Sequence, residues 1–520
     1  MPVPAGLIDT RARTGAARTA PTVPPVRDTF LGIDVGTSSS KGVLVDADGT
    51  VVARAEVEHA TSSPHPGWVE HDAEGVWWHD VVELTRRLLE RGDRPAAVGM
   101  SGLGPVLLPA DAEGRPLRPA ILYGVDTRAT SEIEELTGEL GADRILARAG
   151  TPLSSQAVGP KWRWLRRHEP QVWADTAKFL MASSYLVHRL TGEYVLDHHS
   201  ASQCDPMYDL AAADWAHDWA EVVAPGLELP RLLWPGEVAG HVTRVAAGET
   251  GLAEGTPVIA GTVDAWAEAA SVGVENAGDT MVMYGTTMFL VQVTATPARH
   301  PNLWSTRGVP RDSFTTAAGM ATSGAITAWL RDLVAGDFTD LVDAAADVPA
   351  GSRGLLLLPY FAGERTPVLD PDARGVVIGL TTSHGRAELY RAALEGTAHG
   401  VRHNLEVFAD AGGPSTPRLV AVGGGTRGGL WTRIVSDVTG LAQDVPADTT
   451  GAALGDAFLA ASAVGAADDV RAWNPVVDTV EPDAERAARY DDFHRHYRAL
   501  YTSTADTAHF LADQQRRADR

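Results

Sequence analysis

Three times in this chain an apolar, strand-like run ends in a turn of glycine and hydroxyl residues. No other feature constrains the fold as much. Phe30-Leu31-Gly32-Ile33 leads into Asp34-Val35-Gly36-Thr37-Ser38-Ser39-Ser40, and Thr280–Tyr284 leads into Gly285-Thr286-Thr287. Arg418–Val422 leads into Gly423-Gly424-Gly425-Thr426-Arg427-Gly428. Glycine lets a backbone approach a ligand closely, and the free N–H groups and hydroxyls of such turns suit a phosphate. Lys41 adds charge behind the first turn, and Asp34 is a hard oxygen ligand for Mg²⁺, directly or through water. Singly, each turn also reads as an ordinary polar hairpin. Two in separate halves of one chain can grip a polyphosphate between them.

The surrounding pattern sets the architecture. Residues 41–45 and 50–55 read as strands that continue the first into an antiparallel meander. A helix is expected over 76–91 and a short strand over 96–100. A second unit is expected to open near residue 256, with a strand at 256–261 and a helix starting at Asp264. Residues 386–411 read as a long helix. Leu394, Ala398, Val401, Leu405 and Phe408 share one face of it, and Gly412-Gly413-Pro414 ends it. Leu430–Thr439 reads as a further helix. Strands and helices mixed in this way argue for α/β architecture in two halves. The domain reading is a disordered, Arg-containing tail at 1–28, an N-terminal domain at 29–262, a C-terminal domain at 263–466, and a helical extension at 467–520.

Composition narrows the partners. The 520 residues carry 67 acidic and 44 basic side chains, a net charge of −23 with His neutral. That balance repels phosphate backbones and anionic membrane, so neither nucleic acid nor membrane is expected as a partner. No apolar run reaches the roughly 20 residues of a membrane helix. Cys204 is the only cysteine, so no disulfide can form within the chain, as suits a reducing cytoplasm. The spacing of the 17 His supports no metal cluster.

Residues 423–428 formally match the dinucleotide fingerprint, with Asp444 about 20 residues on. This is the basis for a rival reading, an NAD(P)-dependent oxidoreductase, although no Rossmann-like order surrounds the motif. No G-x-x-x-x-G-K-[ST] occurs, so a P-loop kinase is not expected. Asp264, just past a strand and at a helix start, reads either as an N-cap or as a general base for a substrate hydroxyl.

The run Leu358-Pro359-Tyr360-Phe361-Ala362-Gly363-Glu364-Arg365-Thr366-Pro367 continues through Asp370–Gly375, Gly379-Leu380-Thr381 and His384 to Leu389–Gly396. It resembles the second signature of the FGGY family of carbohydrate kinases, on its xylulokinase-like side. Lys161-Trp162-Arg163-Trp164-Leu165 resembles the centre of the first signature. The resemblance spans about residues 30–465, and the Tyr490, Tyr497, Tyr501 tail is similar too. It implies the actin-like ATPase fold, in which two RNase H-like domains flank a nucleotide and sugar cleft. It also implies transfer of the γ-phosphoryl of MgATP to a hydroxyl of a ketose or polyol. By position it implies phosphate contacts from Gly36, Thr37, Ser38 and Lys41 and from Gly285, Thr286 and Thr287. Nucleotide contacts are implied for Gly324, Gly424, Gly425 and Gly428, and Asp264 is implied as the catalytic base.

The departures concern substrate. Ser101-Gly102 is followed by Leu103-Gly104-Pro105, where xylulokinase-like members usually carry Gln-Met-His. Gly124-Val125-Asp126-Thr127-Arg128 keeps Asp126 and Arg128 of a familial Trp-x-Asp-x-Arg but places glycine at the aromatic position, opening space that Tyr123 can refill. Asp126 and Arg128 read as substrate contacts or as a structural ion pair. Gln156, Gly104 and Pro105 complete the expected sugar wall. The expected function is ATP- and Mg²⁺-dependent phosphorylation of a small sugar, led by a ketopentose such as D-xylulose. Ribulose, a hexulose, erythritol and ribitol remain alternatives, as does a non-catalytic ATP-binding regulator. A homodimer is left open.

Overall fold

The first glycine–hydroxyl turn joins β1 (Thr29–Val35) to β2 (Ser39–Asp46), with Asp34 opposite Lys41, and β2 pairs with β3 (Val51–Glu58). β1 is buried along nearly its whole length, whereas β3 alternates half-buried and exposed residues, as an edge strand does. The computed structural model describes residues 28–518 except Arg91 and Asp93. The tail expected over 1–28 thus lies outside the described residues, apart from Asp28.

The helix expected over 76–91 starts earlier. A π-turn, Ala73–Trp78, is capped by Asp72, which accepts from the N–H groups of Glu74 and Gly75, and α1 (His79–Leu88) follows directly. β4 (Pro95–Gly102) returns parallel to β1. With β5 (Val238–His241) and β6 (Pro257–Ile259) the order is β3-β2-β1-β4-β6-β5. The strand expected to open a second unit near 256 therefore closes the first, pairing with β4 at Val258 and Val98. Thr262–Val263 also pairs with the end of β4, and α2 (Asp264–Ser271) leaves from there.

The second sheet repeats the plan. β7 (Asp279–Tyr284), β8 (Met288–Thr294), β9 (Trp304–Arg307) and β10 (Phe314–Met320) run antiparallel to their neighbours in the order β9-β10-β8-β7. α3 (Gly324–Leu333) follows β10, and α4 (Arg386–Asp410) is the long helix. Its five periodic residues are all buried. β11 (Arg418–Val422) lies parallel to β7, and α5 (Leu430–Thr439) leads to β12 (Gln443–Pro446), parallel to β11. Three antiparallel strands in the first half and four in the second lead into two parallel ones. This is the RNase H-like order, present twice, and the architecture is that of an actin-like ATPase.

α6 (Ala452–Ala463) crosses back onto the first sheet. Phe30, Val43, Val45, Ala97 and Ile259 share one apolar cluster with Ala453, Leu454, Ala457 and Phe458. A Cβ on Gly32 or on Gly99 would overlap the carbonyl oxygen of Ala453 or of Asp456, so helix and strands meet backbone to backbone. The 467–520 extension is not helical throughout. β13 (Val476–Val480) adds an edge strand to β12 before α7 (Ala484–Ala518) begins. Tyr490 of α7 donates to Glu395 Oε1 at 2.6 Å, and Tyr501 donates to Asp370 Oδ2 at 2.9 Å, fastening the tail to the second half. Among the described residues no helix is long and apolar enough to cross a membrane.

Candidate active site

The two halves meet at a cavity of about 480 Å³. Asp34 at the end of β1, Gly104, Pro105, Gln156, Asp264 and Thr287 all line it. Residues more than 250 positions apart in sequence thus converge, as the two-hairpin reading required. Tyr123, on the same wall, hydrogen-bonds Thr37 Oγ1 at 2.8 Å and ties the first turn to the cavity.

The first turn is braced from behind. Gly36 N–H donates to Ser39 O at 3.1 Å, and Thr61 Oγ1 donates to Thr37 O at 2.8 Å. His59 bridges Gly36 O (3.1 Å) and Asp80 Oδ2 (2.7 Å), and Ser40 Oγ donates to the same carboxylate oxygen at 2.8 Å. Burial lowers the imidazole's pKa, but the Asp80 partner outweighs it and the net shift is upward, as a ring donating at both nitrogens requires. In the second turn Gly285 N–H donates to Thr287 O at 3.1 Å, and Ser323 and Ala325 N–H both donate to Thr286 O. Gly324 N–H donates to Gly285 O at 3.0 Å. A Cβ on Gly324 would stand 2.5 Å from that oxygen, so the position has no room for a side chain. The third turn starts at Gly423, whose left-handed φ of 92° needs glycine, and Gly425 packs against Trp431 and Tyr284. Gly424 and Gly428 are exposed. Asp444, the acidic residue of the dinucleotide reading, is held by Arg418 Nε at 2.8 Å. Lys41 stays exposed beside Glu56 at 3.9 Å.

Asp264 is the first residue of α2, not its cap, which is Val263; its Oδ1 accepts from Ala265 N–H at 2.7 Å. Glu268, one helical turn on, lines the same wall. Burial, then the charges of Asp34 and Glu268, push the Asp264 carboxyl well above the ordinary carboxylate range, against the Ala265 hydrogen bond. Burial raises Asp34 to about 6 despite Lys41 and Ser101, and burial with Asp34's charge raises Glu268 to about 7. Behind them Ser101 Oγ donates to Asp456 Oδ2 of α6 at 2.6 Å. Crowded carboxyls of this kind accept a cation readily. Among the described residues no three ligating side chains are gathered closely enough to hold an ion alone. Asp34 therefore suits an ion that brings phosphate and water ligands with it, as Mg²⁺ does.

The signature segments position this wall. Lys161 is buried, and its ammonium donates to Ser155 O at 2.6 Å, bracing the loop that carries Thr151, Ser154 and Gln156 into the cavity. Burial lowers its pKa to about 7. Glu364 Oε1 accepts from Ala321 N–H (2.8 Å) and Arg365 N–H (2.7 Å), and Thr366 Oγ1 accepts from Gly319 N–H at 2.7 Å. These bonds lay the loop along β10 and present Arg365 to the cavity.

Asp126 and Arg128 are not on that wall. Arg128 makes a 2.7 Å ion pair with Asp126 and another with Glu70, and its guanidinium lies 4.0 Å over Trp68. Both charged side chains are fully enclosed, and Asp126 Oδ2 also accepts from Val69 N–H at 2.7 Å. The structure thus gives the pair a structural role. The space beside Gly124 is taken by Gln156, not by Tyr123. A Cβ on Gly124 would stand 2.8 Å from Gln156 Nε2, while Gln156 Oε1 accepts from Gly124 N–H at 3.1 Å. Gly124→Trp is expected to expel Gln156 and narrow the range of sugars used, leaving KM for nucleotide unchanged. Identical sugar profiles for variant and wild type would remove this pair from the pocket.

Asp205, Gln203, Glu268, Arg365, Trp266, Phe289 and Trp304 line the cavity without having been expected there. The i, i+4 spacing of Asp264 and Glu268 and the position of Arg365 inside the signature were usable signals. Asp205 and Gln203 had none.

Family models agree with this architecture. The N-terminal domain of the FGGY family of carbohydrate kinases matches residues 29–273, and the C-terminal domain matches 280–464. A xylulose kinase of Escherichia coli (strain K12) is 31% identical over 91% of this chain and 98% of its own length. A glycerol kinase of Nocardia farcinica is also 31% identical, over 92% of this chain and 100% of its own. The solved xylulose kinase of Rhodospirillum rubrum superposes with a TM-score of 0.85 at 33% identity, covering 92% of this chain and all of that one. With both domain models matched across most of its length and this cavity between its two halves, the chain belongs to the FGGY family of carbohydrate kinases and is a phosphotransferase acting on a sugar alcohol group.

Proposed function

We propose that this kinase transfers the γ-phosphoryl group of MgATP to a hydroxyl of a ketopentose, D-xylulose first, with Asp264 as general base. The observation that carries the reading is the convergence of Asp264, Asp34 and Thr287 on one cavity. Relatives named xylulose kinases support the substrate class. The glycerol kinase relative, equally similar to the first of these, keeps a polyol as the second reading.

When bound, MgATP supplies the phosphoryl group and the metal charge that offsets its oxygens. The chain's own residues do the rest. The N–H groups and hydroxyls of Thr37, Ser38, Thr286 and Thr287 hold phosphate oxygens, Gly36 and Gly285 close their turns, and Gly324 lets the second turn close on its own backbone. Gly424, Gly425 and Gly428 leave room for the nucleotide. Asp34 holds the cation. Asp264 orients the acceptor hydroxyl and takes its proton as the oxygen attacks. Closure of the two halves excludes water from the transfer.

The test is ADP release from MgATP with D-xylulose, D- and L-ribulose, L-xylulose, D-fructose, glycerol, erythritol and ribitol. Release far above background with a ketopentose is expected. Release with glycerol alone moves the assignment to the polyol, and no release with any of them overturns both substrate readings. The pH profile has a definite sign. A base works ionised, and its pKa is raised, so kcat/KM falls as pH drops through a range above ordinary carboxylates. The neighbouring carboxyls titrate together with it, so the acid limb lies above the ordinary carboxylate range. A limb centred near pH 4 would exclude this cluster.

A further inference from the structure

We propose that Asp205 is the specificity-determining residue of the sugar pocket, its carboxyl bonding the hydroxyls of an uncharged polyhydroxy substrate. The inference rests on the kinase reading above and adds the residue that selects the sugar.

Asp205 lines the cavity yet is only 6% exposed. Its Oδ1 is buried with no hydrogen-bond partner among the described residues, and burial alone acts on the carboxyl, raising its pKa. A carboxyl retained for stability is paired, because an unpaired one is costly to bury. The backbone around it is held firmly. Asp205 O accepts from Gly159 N–H at 2.9 Å, and a Cβ on Gly159 would meet that oxygen at 2.5 Å and Pro206 Cδ at 2.6 Å. The chain is therefore fixed in place at the cavity wall, with a carboxyl oxygen that no described residue bonds.

The neighbouring groups give that ligand its chemistry. His199 Nδ1 lies 2.7 Å from Arg307 O and so donates to it, which leaves Nε2 as the acceptor of the Gln203 amide N–H at 2.7 Å. Burial keeps this ring neutral, with a pKa near 3. The Gln203 amide oxygen is then a second acceptor. Gln156 uses its oxygen on Gly124 N–H and offers its NH₂ as donor. Hydroxyl groups, each both donor and acceptor, satisfy such a set. The rings of Trp266, Phe289 and Trp304 line the same cavity and suit the C–H faces of a sugar. A carboxylate-bearing sugar suits it poorly, since Asp34, Asp205, Asp264 and Glu268 face the cavity against the single guanidinium of Arg365.

The test uses full-length Asp205→Ala and Asp205→Asn, with steady-state kinetics on D-xylulose, D-ribulose, glycerol and D-gluconate and a thermal melt of each protein. For the neutral sugar that wild type uses best, Asp205→Ala is expected to raise KM about tenfold or more, a loss typical of one unpaired substrate hydroxyl. KM for ATP should stay within about twofold, and the melting temperature should equal or exceed wild type, because an unpaired carboxyl has been removed. Asp205→Asn should fall between the two in KM and raise the kcat/KM ratio of D-gluconate to the neutral sugar. A sugar KM within twofold of wild type in a folded variant overturns the assignment, as does a lower melting temperature with lost kcat and unchanged KM. If the Ala variant does not fold, the Asn variant decides by the same KM criterion. Wild type that turns over none of the four sugars overturns the substrate reading proposed above and this inference with it. Turnover with unchanged KM in the variants overturns Asp205 alone.

Discussion

Asp264→Asn is expected to reduce phosphorylation of the sugar by about 10²–10⁴-fold, the range a positioned general base supplies, while nucleotide binding stays close to wild type. The substitution is nearly isosteric, and an amide oxygen can still accept from Ala265 N–H as Asp264 Oδ1 does at 2.7 Å. What disappears is the proton acceptor and one negative charge among crowded carboxyls. Asp34's charge is one of the causes that raise Asp264. A carboxyl whose folded pKa is raised favours the fold below its unfolded pKa and loses that contribution as pH rises through the folded value. At pH 8, above the ordinary carboxylate pKa, the wild-type cluster carries that cost. Asp264→Asn should therefore melt at the same or a higher temperature at pH 8, so its lost turnover cannot come from misfolding. Calorimetric titration with ADP, melts at pH 8 and ADP-release assays check the three parts. Turnover within tenfold of wild type removes the base assignment.

Gly99→Ala is expected to cost about 3 kcal/mol or more, above the usual range for overpacking because the obstructing atom is backbone. The new Cβ would overlap the carbonyl oxygen of Asp456, and the helix behind that oxygen cannot rotate a side chain out of the way. α6 has to move off β1 and β4, which strains the Ala453, Ala457 and Phe458 packing and the Ser101–Asp456 hydrogen bond. Ser101 lies 3.4 Å from Asp34 Oδ1, so the disturbance reaches the cavity floor. Urea unfolding should show the lower stability, with a midpoint on heating lower by about 3 °C or more. A variant within about 1 °C of wild type would mean that α6 is not seated so closely.

Much of this molecule could be read along the chain. The three turns after strands, the first meander and the long α4 helix follow local rules, because alternation, a 3.6-residue period and glycine punctuation act between near neighbours. The role proposed for Asp264 comes from the resemblance alone, since its local context fits a helix cap equally well. Other features were set by contacts between distant segments. The strand at 257–259 could not declare its sheet, since pairing with β4 is a long-range choice. Asp126 and Arg128 were as consistent with a sugar site as with an ion pair until Glu70 and Trp68 closed over them. Gln156 could be placed beside Gly124 only once Lys161 had fastened its loop. Asp205, with no periodicity or motif around it, became visible only when the packing of Gly159 fixed it against the cavity with no partner. Local pattern records which backbone state each segment prefers. Which side chains share a cavity depends on which segments bury one another, and that is decided by the packing of the whole chain.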